Sequence, residues 1–247
     1  MLPIIASRLL NWQDGQSAGP WRLMVFPTYR CNLKCGICVR SWQETHPMLL
    51  HELPDERWLR LVDEAAAMGV RVLKIGGGGE PMLRDKMVCE MCVRVKKHGM
   101  AGSLQTNGTH LSADSMETLI RARWDDVTIS IDAPTEEIND AIRNKGVFSK
   151  TVGALQTLRG LKKKHQSKLP NVAIHTTVTA LNYDCLEDMV DFSLANGVDM
   201  FSASPLLEAG LEETGYIMSA AQRADLPRFL NAAMEKADAH NLLHNLN

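Results

Sequence analysis

Arg22-Leu23-Met24-Val25-Phe26-Pro27-Thr28-Tyr29-Arg30-Cys31-Asn32-Leu33-Lys34-Cys35-Gly36-Ile37-Cys38 decides how this chain is built. A short apolar run, Arg22 to Phe26, has the character of a strand and feeds a loop that carries three cysteines. Three thiolates in one short loop propose a metal, because soft sulfur ligands favour zinc, copper(I) or an iron–sulfur cluster. Cys31, Cys35 and Cys38 cannot fill the four corners of a cubane, so a [4Fe–4S] cluster here keeps one iron open to a substrate or cofactor. Two other readings stay open on the triplet alone. One is a structural zinc completed by a histidine such as His46, since Cys3His is an ordinary zinc set. The other is a group of thiols that only fill a core, where free cysteine is often found.

Outward from this loop the pattern repeats as strand, then helix. Pro54, Asp55 and Glu56 open a helix that runs to about Met68 and stops at Gly69. Val70 to Ile75 reads as a strand and Arg84 to His98 as a helix ending at Gly99. Next come a strand over Gly102 to Thr106 and a helix over Ser112 to Arg121, with Ser112 as N-cap. Val127 to Ile131 is a strand, Phe148 to Lys164 a helix, Val172 to Val178 a strand, Leu186 to Asn196 a helix and Asp199 to Ser204 the last strand. Six strands alternating with helices predict parallel strands joined by right-handed crossovers. A full eight-unit barrel takes about 250 residues, so the expected fold is α/β, a partial, open (β/α)6 TIM-like barrel. Residues 1–20, with Gly15, Ser17, Gly19 and Pro20, read as an amphipathic lead-in and a loop. Residues 21–210 make the barrel, and 211–247 make a C-terminal helical segment from Ser219, with Leu226, Phe229, Leu230 and Ala233 on one face, expected to close the open side.

In such folds the active site lies at the C-terminal ends of the strands. Several polar stretches fall at those ends. Gly78-Gly79-Glu80-Pro81 follows Val72 to Ile75, Thr106-Asn107-Gly108 follows the third strand, and Ser130-Ile131-Asp132-Ala133 closes the fourth. Thr176-Thr177-Val178-Thr179-Ala180-Leu181-Asn182 and Ser204-Pro205-Leu206 end the fifth and sixth. A glycine run of this kind has a rival as a phosphate cradle, but that loop needs Gly-Lys-Ser/Thr next, and Glu-Pro follows here. Ser130 and Asp132 share a strand face with Thr128, and polar residues inside a barrel need a partner; a solvated strand end with Asp132 capping the next turn is the alternative account. His175, Thr177 and Thr179 share a face of the fifth strand, which makes His175 a substrate-side candidate or a hydrogen-bonded packing residue.

These motifs, in this order over residues 21 to 210, resemble the radical S-adenosylmethionine (radical SAM) superfamily. The cysteines match its CxxxCxxC signature, residues 78–81 its GGEP motif, and Ser130 with Asp132 its Ser-x-Asp ribose motif. The later strand ends are closest in style to the SPASM/twitch and molybdenum-cofactor-biosynthesis-like branch, without its C-terminal cysteines, since none follows Cys185. The resemblance implies a [4Fe–4S] cluster on Cys31, Cys35 and Cys38, with S-adenosyl-L-methionine (SAM) on the open iron. It implies cofactor contacts at Ile37, Gly78, Gly79, Glu80, Asn107, Ser130, Asp132 and Thr177, and leaves the catalytic residue unassigned. Gly78 and Gly79 would let backbone approach the methionine part, Glu80 would face its ammonium, and Ser130 and Asp132 its ribose. Ile37 stands where the family more often has an aromatic residue against the adenine. The implied chemistry is reductive cleavage of SAM to a 5′-deoxyadenosyl radical that takes hydrogen from a peptide or small polar metabolite. A flavodoxin or ferredoxin would supply the electron.

Composition sets limits on the rest. The chain has 247 residues, 45% of them hydrophobic, and a formal charge of -2, enough for one full core and too near neutral for bulk electrostatic binding of nucleic acid. Met1 to Leu10 is too short and lacks the basic front of a secretory leader, and no run reaches membrane-spanning length. A reducing cytoplasm is the expected setting for six cysteines with no disulfide pattern. Cys89 and Cys92 lie in an apolar helical stripe with Met87, Val88, Met91 and Val95 and read as core, so a single cluster is expected. Lys162 to Lys168 is a basic run that either docks an acidic electron donor or is a solvated helix end. Two alternatives to the radical enzyme remain: a non-catalytic iron–sulfur electron carrier, and a zinc-stapled binding module. Substrate choice would fall to residues near Trp42 to His51 and Gly210 to Tyr216.

Overall fold

The computed structural model describes residues 2–16, 19–38 and 51–246; His46, Trp42 and most of the stretch up to His51 lie outside the described residues. Seven parallel strands form one open sheet in sequential order: β1 Arg22–Val25, β2 Val72–Ile75, β3 Ala101–Thr106, β4 Asp126–Ser130, β5 Asn171–Val178, β6 Met200–Pro205 and β7 Leu243–His244. The connecting helices are α2 Asp55–Ala67, α3 Asp85–Lys97, α4 Ala113–Arg121, α5 Glu136–Arg143, α6 Val147–Lys164, α7 Leu186–Ala195 and α8 Ala220–Ala239, with α1 Leu2–Gln13 ahead of the sheet. Each connection returns the chain to start a parallel neighbour, so every strand end points the same way.

Local chemistry sets the boundaries. Pro54 is the N-cap of α2, with Asp55 and Glu56 in the first turn, and Gly69 takes φ +80° just past its end. Ser112 accepts from the Ser115 amide as N-cap of α4. Ser219 and Gln222 close a capping box at the start of α8. Along β2 to β5, buried apolar residues alternate with half-buried ones: Leu73, Ile75, Leu104, Val127, Ile129, Val172 and Ile174 face the helices and form the core with α3, α4 and α6. The concave face is polar, with Lys74, Gln105, Thr128, Ser130, His175 and Thr177 in the alternate positions.

Three departures from the sequence expectation matter. Residues between β4 and α6 form a helix of their own, α5, which carries Arg143 toward the site. The tail does not cross the open side of the sheet. Instead α8 packs beside α7, with Tyr183 edge-on to Phe229 at 5.5 Å and Lys236 bridging Glu187 and Asp191. The chain then returns as β7 in register with β6, Met200 opposite Leu243, so the sheet has a seventh strand. The lead-in is anchored: Arg8 donates to the carbonyls of Gly19 and Gly69 and stacks on Trp21.

Candidate functional site

A cavity of about 500 Å³ opens at the C-terminal strand ends. The three cysteines, Ile37, Gly78, Gly79, Glu80, Asn107, Ser130, His175 and Thr177 all line it, and so does Arg143. Asp132 does not. Most of the residues singled out by their motifs therefore meet in one place, from five different strand ends.

The cysteine loop is held on three sides. Gly36 and Lys34 donate their amides to the Ile142 carbonyl and the Asn144 side chain at the end of α5. Asn107 donates from Nδ2 to Asn32 Oδ1 at 3.0 Å and to Cys31 Sγ at 3.9 Å, while Asn32 donates to Thr109. Within the loop, Leu33 N–H faces Cys31 Sγ at 3.4 Å and Cys38 N–H donates to the Cys35 carbonyl. Burial pushes the Cys35 thiol up to about 11, while the nearby Arg143 cation favours its thiolate. Among the described residues no three His, Cys, Asp or Glu side chains are gathered tightly enough for a single metal ion. A four-iron cube, by contrast, carries each thiolate on a different iron.

The glycine turn after β2 serves the protein first. Gly79 and Glu80 donate their amides to the Thr28 and Arg30 carbonyls, which locks this turn against the approach to the cysteines. A Cβ on Gly79 would lie 1.9 Å from the Arg30 carbonyl oxygen, so only glycine fits. Glu80 is fully enclosed. Its Oε1 accepts from Met82 N–H at 2.9 Å and Thr106 Oγ1 at 2.6 Å, and its Oε2 from Asn107 N–H at 2.7 Å. Burial raises its pKa and these donors oppose the rise. Glu80 thus fastens the β2 turn to the end of β3, with Oε2 keeping one lone-pair direction beyond its single donor.

At β4 the strand ends with Ser130, so the shared-face expectation holds for Ser130 and fails for Asp132. Asp132 is completely buried; Oδ1 accepts from Thr177 N–H at 2.8 Å and Oδ2 sits 2.7 Å from Arg143 Nε. Its carboxylate is thus spent on Thr177 and Arg143, and Ser130 is the member of the pair that lines the cavity. Asn182 is buried too, accepting from Thr179 and donating to the Asp132 and Thr177 carbonyls, so it fixes this corner rather than facing a ligand. His175 is flanked by two hydroxyls, Ser202 at Nδ1 (2.9 Å) and Ser204 at Nε2 (3.1 Å). Burial, Arg143 and Lys74 lower its pKa and Asp132 raises it, with burial the largest effect.

Cys92 is fully buried in the core, Cys89 packs against it, and Cys185 is the N-cap of α7. Arg143 is the residue that sequence reasoning missed. The signal was present: Thr135, then Glu136 and Glu137, then Ile138 and Ile142 four apart, is a helix start that delivers Arg143 one position after a core residue.

The comparisons agree with this geometry. A family profile described as the radical SAM superfamily matches residues 25–193. The chain is 30% identical over 199 residues to the mycofactocin maturase MftC of Mycolicibacterium smegmatis, covering 81% of this chain and 47% of that one. It is 30% identical over 182 residues to the PqqA peptide cyclase of Granulibacter bethesdensis, covering 72% and 45%. The fold is similar to Streptococcus suis SuiB bound to S-adenosylmethionine, with a TM-score of 0.75 at 19% identity over 99% of this chain and 54% of that one. The chain spans about half the length of the relatives it matches. With a profile match that covers most of its length, the chain belongs to the radical SAM superfamily.

Proposed function

We propose that this chain cleaves SAM reductively and uses the resulting radical to take a hydrogen atom from a peptide. The carrying observation is the convergence of Cys31, Cys35, Cys38, the glycine turn and Arg143 on one cavity. The superfamily's cofactors are a [4Fe–4S] cluster and SAM, and the site fits them: three sulfur ligands, one vacant corner, and a buried cation beside two of the cysteines. The cluster, when bound, supplies the electron that breaks the sulfonium C–S bond, giving methionine and a 5′-deoxyadenosyl radical.

The protein's own part is to bind and to orient. Gly78 and Gly79 form a wall without side chains beside the methionine portion, and the remaining lone pair of Glu80 faces its ammonium. Arg143, held cationic by Asp132, attracts its carboxylate. Ser130 and Thr177 offer hydroxyls to the ribose, and Ile37 an apolar face to the adenine. Asn107 orients Cys31. His175, neutral between two serines, lines the substrate side. One relative is named a peptide cyclase and another a maturase, which favours a peptide over a small metabolite. A flavodoxin or ferredoxin is the fitting reductant, and a reducing cytoplasm the fitting compartment. None of the helices is long and apolar enough to cross a membrane among the described residues.

The test is anaerobic reconstitution with iron and sulfide, addition of dithionite and SAM, and quantification of 5′-deoxyadenosine, with Cys35→Ala as control. Formation by the parent and not the variant is expected. A brown protein that releases none would favour an electron carrier, and a colourless zinc protein would end the enzyme reading.

A further inference from the structure

A second cavity, of about 360 Å³, lies on the outer side of the cysteine loop, lined by Asn32, Leu33, Lys34, Lys145, Gly146 and Lys150 among others. Leu33 lines this recess and the cofactor cavity alike, so one side chain and the loop backbone separate them. Three lysines and the N-terminus of α6 surround the recess, and among the described residues no acidic side chain lines it. The nearest acid in sequence, Asp140, is engaged with the Gly146 and Phe148 amides. The lysine side chains are exposed at the rim.

We propose that this recess is the docking surface for an acidic electron-transfer protein, the donor that reduces the cluster. The inference rests on the radical SAM reading. It adds where the electron enters. Electrons reach a cluster most readily across a thin wall, and here the recess that shares Leu33 with the cofactor cavity carries concentrated positive charge. Such a patch steers an acidic partner, raising association rates by about 10- to 1,000-fold at low salt. The Asn32–Asn107 and Lys34–Asn144 hydrogen bonds hold the loop still behind that surface.

The basic run at Lys162 to Lys168 does not compete. It sits at the far end of α6, whose 18 residues span about 27 Å at 1.5 Å per residue. Lys162 and Lys164 there are paired with Asp199 and Glu117. That end of α6 faces the N-terminal ends of the strands, away from the cysteines.

The experiment is stopped-flow reduction of the reconstituted protein, followed by loss of the cluster's visible absorbance, with reduced flavodoxin or with dithionite. In the parent, the flavodoxin rate falls steeply as salt rises, while the dithionite rate does not depend on Lys145 or Lys150. Lys145→Glu with Lys150→Glu should slow flavodoxin reduction at least tenfold at low salt and leave dithionite reduction unchanged. An unmoved flavodoxin rate, or an equal fall in a Lys162→Glu, Lys163→Glu, Lys164→Glu variant, overturns the proposal while the enzyme reading stands. A protein that takes up no cluster overturns both.

Discussion

Arg143→Met should be among the most damaging single changes in the chain, and for a reason that a second substitution can expose. Arg143 and Asp132 form an ion pair at 2.7 Å with Asp132 completely buried and Arg143 nearly so. Removing the cation leaves the Asp132 charge in the interior with the Thr177 amide at Oδ1 and nothing opposite Oδ2. Breaking one side of a buried pair costs about 3–5 kcal/mol, a large part of the roughly 5–15 kcal/mol that holds a domain folded. With a urea m-value at the upper end of about 1–3 kcal/mol/M, the midpoint should fall by about 1–2 M. Adding Asp132→Asn removes the stranded charge and keeps an acceptor for Thr177, so the double variant should be more stable than Arg143→Met alone, with a coupling of about 2 kcal/mol. The assay is anaerobic urea unfolding of the metal-free protein as a double-mutant cycle. A midpoint loss under about 0.3 M, or a coupling under about 0.5 kcal/mol, would refute the argument. The same double variant separates two duties. Stability returns, but SAM binding does not, if Arg143 also holds the cofactor's carboxylate.

Three further outcomes follow from the same corner. Gly79→Ala places a methyl 1.9 Å from the Arg30 carbonyl, and the upper end of the about 1–3 kcal/mol cost of overpacking should apply, with less iron taken up on reconstitution; parental iron content would refute the close approach. Glu80→Gln must point its amide at the Met82 or the Asn107 N–H, a cost of about 1–3 kcal/mol read as a lower urea midpoint at constant m. His175 is held neutral by burial, so its folded pKa lies below 6.5 and the unfolded chain binds the proton first. The stability it contributes is present above pH 6.5 and is lost as pH falls through the folded value. His175→Gln should flatten that acid limb, and parallel stability–pH curves for parent and variant would count against it.

The strands were legible because glycines, caps and β-branched runs punctuate them; Val72 to Ile75 before a glycine run has little else to be. Placement of the cysteines, Glu80, Asn107 and Ser130 at one end followed from that alternation alone. Alternation says less about Asp132, because the β4 strand ends at Ser130 and the buried carboxylate meets the Thr177 amide and Arg143. β7 was invisible: two residues are a strand only because Met200 and Phe201 lie beside them. α5 was overlooked because Pro134 and Asn144 frame its eight residues like a loop, although its first-turn acids are those of a helix.

What joins these cases is where the strand-end polar groups point. Glu80 ties the β2 turn to the end of β3, Asp132 and Asn182 tie the ends of β4 and β5 together, and Asn107 spends its side chain on Asn32, Cys31 Sγ and Thr109. Glu80, Asp132 and Asn182 thus act as fasteners between successive strand ends. Beside Glu80 and Asn107, the cavity wall is made by three thiols, bare glycine backbone, Arg143, and the hydroxyls of Ser130 and Thr177. It follows that changing a fastener such as Glu80 moves stability and cluster uptake together, whereas changing Ser130, a cavity-lining hydroxyl at the end of β4, should leave stability within about 0.5 kcal/mol and alter only cofactor affinity.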